Sequence, residues 1–304
     1  MKLILSGLVA ATHTPLHPDG RLNLGGVARQ AEYLLTNGVK SVFIGGTTGE
    51  SHSLTVEERL ALAQRWSEVV RGTELRLVVH VGSNALADAK VLAAQAQDLG
   101  AAAISALAPS YFKPRDLESL VLCCAEVAGA APELPFYYYD IPSMTGVHLS
   151  APKFLESAAE RIPTLAGIKF SNIDLIAYQQ CLQTQGGRFD MPWGTDEALL
   201  AALALGASGA VGSTYNFAAP LYLRILSAFA AGDLAAARVD QFRSVQLVEL
   251  LAGYGFMGAA KTLMGFLGVD VGPARAPNSN LTPQQATTLR TSLEQLGFFD
   301  WIRL

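Results

Sequence analysis

The chain has 304 residues, of which 50% are hydrophobic and 16% are charged, and its formal net charge is −4. This composition provides enough apolar side chains for a packed core and is untypical of disordered chains. No basic block could follow a phosphate backbone, which argues against nucleic-acid binding. No apolar run approaches the roughly 20 residues that cross a bilayer, so the sequence predicts no membrane partner either.

Cysteine content and the first residues bear on the cellular compartment. Cys123, Cys124 and Cys181 form no Cys-x-x-Cys pair, which is poor material for a disulfide framework or a zinc cage. The apolar opening at 1–5 resembles the start of a signal peptide, but its apolar character continues into a predicted buried strand at 7–12. We therefore expect a cytoplasmic protein.

Short apolar runs that end in Gly, Pro, Ser or Thr alternate with longer segments of helical periodicity. Such runs between helices are typical of the buried strands of a parallel sheet. Eight of them close naturally into a barrel, so the pattern predicts a (β/α)8 TIM barrel. The predicted strands lie at 7–12, 41–46, 76–82, 102–108, 134–141, 165–171, 191–196 and 209–214.

A doubly wound open sheet is the structural alternative to the barrel. That fold would place Gly-x-Gly-x-x-Gly after the first strand, whereas residues 12–15 of this chain read Thr-His-Thr-Pro. After Asn216 the strand pattern stops and several helical segments follow. We expect a catalytic barrel domain over 1–230 and a C-terminal helical extension over 231–304, packed on the barrel without a flexible linker.

The sixth predicted strand ends at the mouth of the barrel, where the active sites of such barrels are built. Because side chains alternate along a strand, Gly167, Lys169 and Ser171 share one face, and Ile168 and Phe170 share the other. Lys169 would point into the mouth among apolar and neutral residues, which lowers a lysine pKa and makes the amine a nucleophile able to form a Schiff base. From position alone, a strand-end lysine that extends to solvent is the alternative.

The fifth predicted strand carries three consecutive tyrosines. Tyr137 and Tyr139 share a face, and Tyr139 lies nearer the strand end. A buried phenol both donates and accepts a hydrogen bond, which suits a proton relay between a substrate hydroxyl and water. The alternative is that the tyrosines are good strand formers that pack the core.

Two predicted strands end in loops that could cradle an anion. Gly-Gly-Thr-Thr-Gly-Glu at 45–50 follows the second strand, and Gly212 and Ser213 end the eighth. Glycines let the backbone approach a ligand, while neighbouring hydroxyl and N–H groups can bind a carboxylate. Tight strand packing is the alternative for both loops.

Three motifs, in combination, resemble those of the N-acetylneuraminate lyase and dihydrodipicolinate synthase superfamily. They are Gly-Thr-Thr-Gly-Glu at 46–50, Tyr-Asp-Ile-Pro at 139–142 and Gly-Ile-Lys-Phe-Ser at 167–171. The resemblance extends over nearly the whole chain, from Gly7 to about Pro277. It implies a TIM barrel and the chemistry of a class I aldolase.

The resemblance also implies roles for the residues above. Lys169 attacks the C2 keto group of a 2-oxo acid, Tyr139 relays protons, and Thr47 and Thr48 hold the carboxylate. The protonated imine is the electron sink for cleavage of the C3–C4 bond, so we expect no metal and no other cofactor. The five histidines are scattered without metal-binding spacing, in line with this expectation. Tyr111 matches a position from which synthases reach into a neighbouring subunit's site, and the resemblance implies a homotetramer.

Substrate choice within the superfamily is indicated by position 144. Synthases carry an arginine there that receives a carboxylate of the second substrate, whereas this chain has Met144, and a thioether cannot pair with a carboxylate. An apolar residue here resembles the sialic acid lyases, and the tyrosine-rich segment at 136–142 resembles their animal form. Gly-Thr-Asp-Glu at 194–197 is similar to the lyase element that receives sugar hydroxyls. The implied substrate-binding residues are Thr47, Thr48, Ser171, Gly194, Asp196, Glu197, Gly212 and Ser213.

The favoured interpretation is an enzyme that cleaves N-acetylneuraminate, a sialic acid, reversibly to pyruvate and N-acetylmannosamine. The nearest alternative is another pyruvate-dependent aldolase, or a dehydratase, of the superfamily acting on a 2-keto-3-deoxy sugar acid. An alternative from another class is a sugar-acid-binding protein without catalysis, against which the retention of Lys169 and Tyr139 argues. Asp140 departs from the asparagine or histidine common in the superfamily, and strand alternation turns it away from the barrel mouth.

Overall fold

Parallel strands alternate with helices along residues 5–303, the part of the chain that the computed structural model describes. Residues 1–4, which begin the apolar opening, lie outside it. Almost every strand residue is buried, as expected of a sheet covered by helices outside and filled by side chains inside. The strands of the described part are β1 (Gly7–Ala11), β2 (Ser41–Ile44), β3 (Arg76–His80), β4 (Ala103–Leu107), β5 (Phe136–Asp140), β6 (Leu165–Phe170) and β7 (Gly209–Gly212).

Helices connect successive strands and then continue beyond the last one. No helix within residues 5–303 is both long enough and apolar enough to cross a membrane. The helices of this part of the chain are α1 (Gly26–Thr36), α2 (Val56–Val70), α3 (Leu86–Asp98), α4 (Leu117–Gly129), α5 (Pro142–Thr145), α6 (Ala151–Ala158), α7 (Leu175–Gln183), α8 (Leu199–Leu205), α9 (Tyr215–Ala230), α10 (Leu234–Gly253), α11 (Phe256–Phe266), α12 (Pro283–Leu296) and α13 (Phe298–Trp301).

The strands form one parallel sheet in the order β6-β5-β4-β3-β2-β1-β7. Consecutive strands from β1 to β6 are therefore neighbours around the barrel, and β1 pairs with both β2 and β7. All the strands run in one direction, so their carboxyl ends meet at one mouth. The predicted TIM barrel with C-terminal helices is confirmed, with one local exception.

The exception is the segment at 191–196. The prediction of a regular strand there is wrong, although the segment fills the eighth position of the barrel. Isolated parallel bridges from Asp190 and Trp193 join this segment to β6 on one side and β7 on the other. Pro192 accepts a hydrogen bond from Phe170 N–H at 2.9 Å but has no N–H to donate in return. The ladder is interrupted there, and single bridges close the barrel.

Helices α10 to α13 follow the last barrel helix and pack back on the barrel. Arg224 of α9 forms an ion pair with Asp240 of α10 at 2.9 Å and donates to the carbonyl oxygen of Trp301 at 2.7 Å. The extension is thus attached to α9 by polar contacts in addition to its buried apolar residues. The division of the chain into 1–230 and 231–304 stays a prediction.

A buried ion pair joins the extension to the loop that follows β2. Lys261 Nζ of α11 lies 2.8 Å from Glu50 Oε1, and both side chains are almost completely inaccessible to solvent. Lys261 also donates to the carbonyl oxygens of Thr14 and Pro273, at 2.9 Å and 2.8 Å. The ion pair with Lys261 of the C-terminal extension therefore fixes the loop at 45–50.

Asp140, the last residue of β5, is a buried carboxyl on the opposite face of the strand from Tyr139. One of its oxygens accepts a hydrogen bond from Asn172 Nδ2 at 3.3 Å. Burial raises the pKa of Asp140 to about 6, against the smaller lowering effects of Asn172 and His148. The ionised carboxylate is therefore less stable in the folded protein than in the unfolded chain.

We expect Asp140→Asn to stabilise the fold at neutral pH. Because the folded-state pKa of about 6 exceeds the ordinary value of 3.8, Asp140 lowers the free energy of unfolding as pH rises from 3.8 through about 6. At 1.36 kcal/mol per pKa unit, the asparagine should raise the free energy of unfolding by roughly 1–3 kcal/mol above pH 7. Urea unfolding at pH 7.5 and pH 4 checks this. The gain should vanish at pH 4, and an equal gain at both pH values would assign it to packing instead of ionisation.

Candidate active site

Lys169 projects from β6 into the mouth of the barrel, and its side chain does not extend to solvent. The residue is 4% exposed, and Nζ donates to Ser171 Oγ at 3.1 Å. Nζ also lies 3.4 Å from the centre of the Tyr139 ring and 5.1 Å from that of Phe43. Burial lowers the pKa of Lys169, and the nearby Tyr139 and Asp196 oppose this shift only in part. A lower pKa leaves more of the amine neutral, and hence nucleophilic, near neutral pH.

The Tyr139 side chain lies against the Lys169 amine. Its hydroxyl is 3.3 Å from Thr47 Oγ1, and its ring packs edge-on against Phe43 and His80 with centroids 5.8 Å apart in each case. Burial alone raises the pKa of Tyr139, but the Lys169 ammonium and hydrogen bonds from neighbouring side chains lower it, and the net shift is downward. A phenol with a lowered pKa beside an amine is suited to proton transfer.

Tyr137 lies on the same face of β5, two residues deeper in the barrel. Its hydroxyl donates to Asp190 Oδ2 at 2.8 Å, and the same oxygen accepts from Leu5 N–H at 2.7 Å. Burial raises the pKa of Tyr137, and the Asp190 carboxylate raises it further. Tyr137 is thus a permanently protonated donor that fixes the barrel interior, unlike Tyr139 at the mouth.

Hydroxyl groups from two loops meet beside the Lys169 amine. Thr48 Oγ1 and Ser213 Oγ are 2.6 Å apart, which joins the loop after β2 to the loop after β7. Asn216 Nδ2 donates to the carbonyl oxygen of Ser213 at 2.7 Å and to that of Ala11 at 2.6 Å. With Thr47, this makes a set of short, fixed polar side chains that can bind a carboxylate.

Asp196 and Glu197 begin a 3-10 turn, Asp196–Ala198, that follows the eighth barrel position. Asp196 is buried, and its Oδ2 accepts hydrogen bonds from Thr214 N–H at 2.9 Å and from Thr214 Oγ1 at 2.6 Å. Burial raises the pKa of both carboxyl groups, and the Thr214 hydrogen bonds oppose this shift in Asp196. The turn presents two carboxyl groups to the mouth of the barrel.

Lys169 and Tyr139 line one cavity of about 230 Å³, together with the hydroxyl side chains of the two loops and the two carboxyl groups of the turn. The cavity shares Thr47 and Phe256 with an adjoining pocket of about 610 Å³ that Met144 also lines. Together, the cavity and the adjoining pocket are large enough for a small-molecule ligand bigger than pyruvate. The predicted site residues in the smaller cavity are Thr47, Thr48, Tyr139, Lys169, Ser171, Gly194, Asp196, Glu197, Gly212 and Ser213.

Tyr111 is the predicted site residue that the structure does not bring to this cavity. Its side chain is 79% exposed and packs edge-on against Phe112, with ring centroids 5.0 Å apart. Within residues 5–303, no group of three His, Cys, Asp or Glu side chains could hold a metal ion.

Sequence reasoning missed six residues of the cavity wall, of which Ala11, Ile141 and Val211 lie in or directly after barrel strands. Val248 and Phe256 come from the C-terminal extension, and Thr214 follows the predicted Gly212 and Ser213. The apolar pair left no signal in the sequence, because helical periodicity does not tell which face of the extension turns toward the barrel mouth. Thr214 could have been found from its place one residue beyond a predicted pair.

Comparison with known proteins agrees with this geometry. The model of the dihydrodipicolinate synthetase family matches residues 4–296. An N-acetylneuraminate lyase from Gallus gallus is 40% identical over 301 residues, which cover 97% of this chain and 97% of the relative. The structure of an N-acetylneuraminate lyase from Proteus mirabilis superposes with a TM-score of 0.94 at 39% identity, covering 97% of this chain and 100% of that one.

The same barrel also occurs in proteins named for another reaction. A dihydrodipicolinate synthase from Bacillus anthracis superposes with a TM-score of 0.89 at 27% identity, covering 96% of this chain and 99% of that one. The fold alone therefore does not decide between the two activities. The resemblance drawn from the three sequence motifs is confirmed, and the chain belongs to the dihydrodipicolinate synthetase family.

Proposed function

We propose that this protein is a class I aldolase that cleaves N-acetylneuraminate reversibly to pyruvate and N-acetylmannosamine through a Schiff base at Lys169. The observation that carries the proposal is the buried Lys169 amine, in contact with the Tyr139 ring in a cavity bordered by hydroxyl and carboxyl groups. The 40% identity to a lyase named for N-acetylneuraminate supports sialic acid as the substrate.

The pyruvyl end of the substrate binds at the carboxyl ends of β2 and β6. The neutral Lys169 amine attacks the C2 keto carbon of the open-chain sugar acid. The Tyr139 phenol donates its proton to the departing hydroxyl group, and loss of water leaves a protonated imine and a Tyr139 phenolate. Thr47 and Thr48 receive the substrate carboxylate with hydroxyl groups that already lie in the cavity. Ser171 accepts a hydrogen bond from Lys169 Nζ and so holds the amine at the cavity wall.

Cleavage follows from the position of the phenol. The Tyr139 phenolate takes the proton of the C4 hydroxyl as the C3–C4 bond breaks, and the bonding electrons move into the imine to give an enamine. N-acetylmannosamine leaves as the aldehyde. A proton returned to C3 restores the imine, and water then releases pyruvate and the free amine. The electron sink is the imine itself, so no metal or cofactor takes part.

The sugar end of the substrate lies toward the turn at 194–197 and the adjoining pocket. Asp196 and Glu197 are hydrogen-bond acceptors for its hydroxyl groups, and Gly194, Gly212 and Ser213 leave room for it beside them. Met144, which lines the adjoining pocket, offers no cation to a carboxylate-bearing second substrate.

We propose in addition that the enzyme is a cytoplasmic homotetramer. The exposed aromatic pair of Tyr111 and Phe112 supports this assembly, because large exposed apolar side chains mark protein contacts. In the tetramer, Tyr111 would reach a neighbouring copy's site.

Borohydride trapping tests the nucleophile. With pyruvate present, reduction should add the mass of one pyruvyl adduct to the wild-type chain and nothing to Lys169→Ala, because the imine is the species that borohydride reduces. Lys40→Ala, which removes only an exposed partner of Glu74, is the control and should be trapped like the wild type. Mass spectrometry reads the result, and an adduct that persists in Lys169→Ala would move the nucleophile to another lysine.

Replacing the phenol tests the proton relay. Tyr139→Phe should form the pyruvyl imine but cleave N-acetylneuraminate about 10²- to 10⁴-fold more slowly, because one positioned proton-transfer group is lost. Tyr137→Phe, which removes the neighbouring phenol on the same face of β5, should keep turnover within about tenfold. Steady-state turnover and trapping are measured on both variants. Near-normal turnover in Tyr139→Phe, with a large loss in Tyr137→Phe, would exchange their roles.

A substrate panel separates the proposed reaction from its relatives. We expect efficient cleavage of N-acetylneuraminate, slower cleavage of shorter 2-keto-3-deoxy acids and negligible condensation of pyruvate with aspartate semialdehyde. The missing cation at position 144 accounts for roughly 10- to 150-fold of that preference. Asp196→Asn should weaken sugar-acid turnover and leave pyruvate trapping intact. Comparable rates on all substrates would refute the assignment of the sugar pocket.

A further inference from the structure

The last residue of β3, His80, joins this strand to the loop at 45–50. The residue is 1% exposed, and its Nδ1 lies 2.8 Å from the carbonyl oxygen of Gly45. Because a carbonyl oxygen can only accept a hydrogen bond, Nδ1 carries the proton of the ring. The first residue of the loop is therefore held from a neighbouring strand.

The other contacts of the loop show what this hydrogen bond adds. Ser51 N–H and Glu50 N–H donate to carbonyl oxygens within the loop, at 3.2 Å and 3.0 Å, and close the loop on itself. The ion pair of Glu50 with Lys261 fixes the far end of the loop. The imidazole fixes the near end, so the two threonines of the site lie between two anchors.

The His80 ring also packs against the phenol of the site. The rings of His80 and Tyr139 meet edge-on, with an interplanar angle of 88° and centroids 5.8 Å apart. Phe43 meets the Tyr139 ring at 82° and the same centroid distance, and Lys169 Nζ lies 3.4 Å from the centre of that ring. Side chains from β2, β3 and β6 therefore limit the rotation of the phenol.

The imidazole is fixed in place and stays neutral. Arg59 of α2 donates to the carbonyl oxygen of His80 at 2.8 Å, which holds the end of β3 from outside the barrel. Burial lowers the pKa of His80 well below its ordinary value, and Arg59, His52 and Lys169 lower it further, although the hydrogen bond to the loop opposes the shift. The ring thus orients the phenol without placing a second cation beside the Lys169 amine.

We propose that His80 is a positioning residue for both halves of the active site: its Nδ1–H holds the loop that binds the carboxylate, and its ring holds Tyr139 against the Lys169 amine. This inference rests on the proposed function and deepens it, because one side chain outside the cavity wall aligns pyruvate binding with proton transfer. Such alignment matters because a misplacement of about 1 Å can cost roughly 10²-fold in rate.

Two substitutions in the full-length protein separate the two contacts. His80→Phe keeps a ring beside Tyr139 but removes the donor to Gly45. We expect the half-saturating pyruvate concentration in borohydride trapping to rise about 2- to 10-fold, with kcat for cleavage within about threefold of the wild type. His80→Asn keeps an N–H donor near the position of Nδ1 but removes the ring. We expect unchanged half-saturation by pyruvate and a kcat about 10- to 100-fold lower.

The same two substitutions at His17 are the matched controls. His17 is exposed and does not line the cavity, so His17→Phe and His17→Asn should behave like the wild type. A merely structural His80 would lose trapping and turnover in parallel in both of its variants. That result, or wild-type values in both, would overturn the inference.

Nitrogen NMR of the wild type covers the case in which the His80 variants do not fold. In protein labelled with 15N-histidine, His80 is recognised by its contacts with the ring protons of Tyr139. We expect a neutral ring that is protonated on Nδ1 at every pH between about 5 and 9. A proton on Nε2, or titration within this range, would contradict the proposed role. Failure of the wild type to cleave N-acetylneuraminate while it still traps pyruvate would instead overturn the proposed substrate, and kcat would then be measured on the best sugar acid of the panel.

Discussion

The buried ion pair between Glu50 and Lys261 is the contact on which the geometry of the barrel mouth depends. Glu50 adopts a left-handed backbone conformation (φ 56°), which residues other than glycine rarely take. Its carboxylate contacts Lys261 of the C-terminal helices. Arg275 N–H donates to its second oxygen at 2.7 Å. Replacing a buried ion pair by apolar residues often leaves the stability of a protein unchanged or raises it. We therefore infer that the role of this pair is to fix the position of the loop, not to add stability. It fixes the loop at 45–50, which carries the threonines of the site.

The contrast between the two buried lysines follows from the partners that each one has. Lys261 directs its ammonium to Glu50, Thr14 and Pro273, which matches the three donors of the group. A neutral amine there would leave one acceptor without a donor. Lys169 donates to Ser171 and lies against the rings of Tyr139 and Phe43, and burial lowers its pKa although Tyr139 and Asp196 favour the ammonium. The same residue type thus forms a buried ion pair in one place and is the proposed nucleophile in the other.

Most of the barrel and the centre of the site could be predicted from the sequence because they depend on local periodicity. The alternation of side chains along a strand was enough to place Lys169 and Tyr139 on one face at the mouth. The contribution of Val248 and Phe256 could not be predicted, since it depends on how the extension folds back over the barrel. The hydrogen bonds of Thr214 to Asp196 join residues 18 positions apart and have no signature in either segment.

The one strand that the sequence pattern predicts wrongly lies where the barrel has to be irregular. Pro192 interrupts the ladder to β6, and the chain leaves the barrel as the turn that carries Asp196 and Glu197 instead of continuing as a regular strand. In the proposed mechanism, the pyruvyl end of the substrate lies at the ends of the regular strands β2 and β6. The proposed sugar end lies at this interrupted segment, whose turn Gln241 of the extension holds by hydrogen bonds to Leu200 N–H and to the carbonyl oxygen of Asp196. The proposed sugar-binding carboxyl groups thus lie where the regular strand pattern is broken, because a regular eighth strand would not form the turn that brings them to the cavity wall.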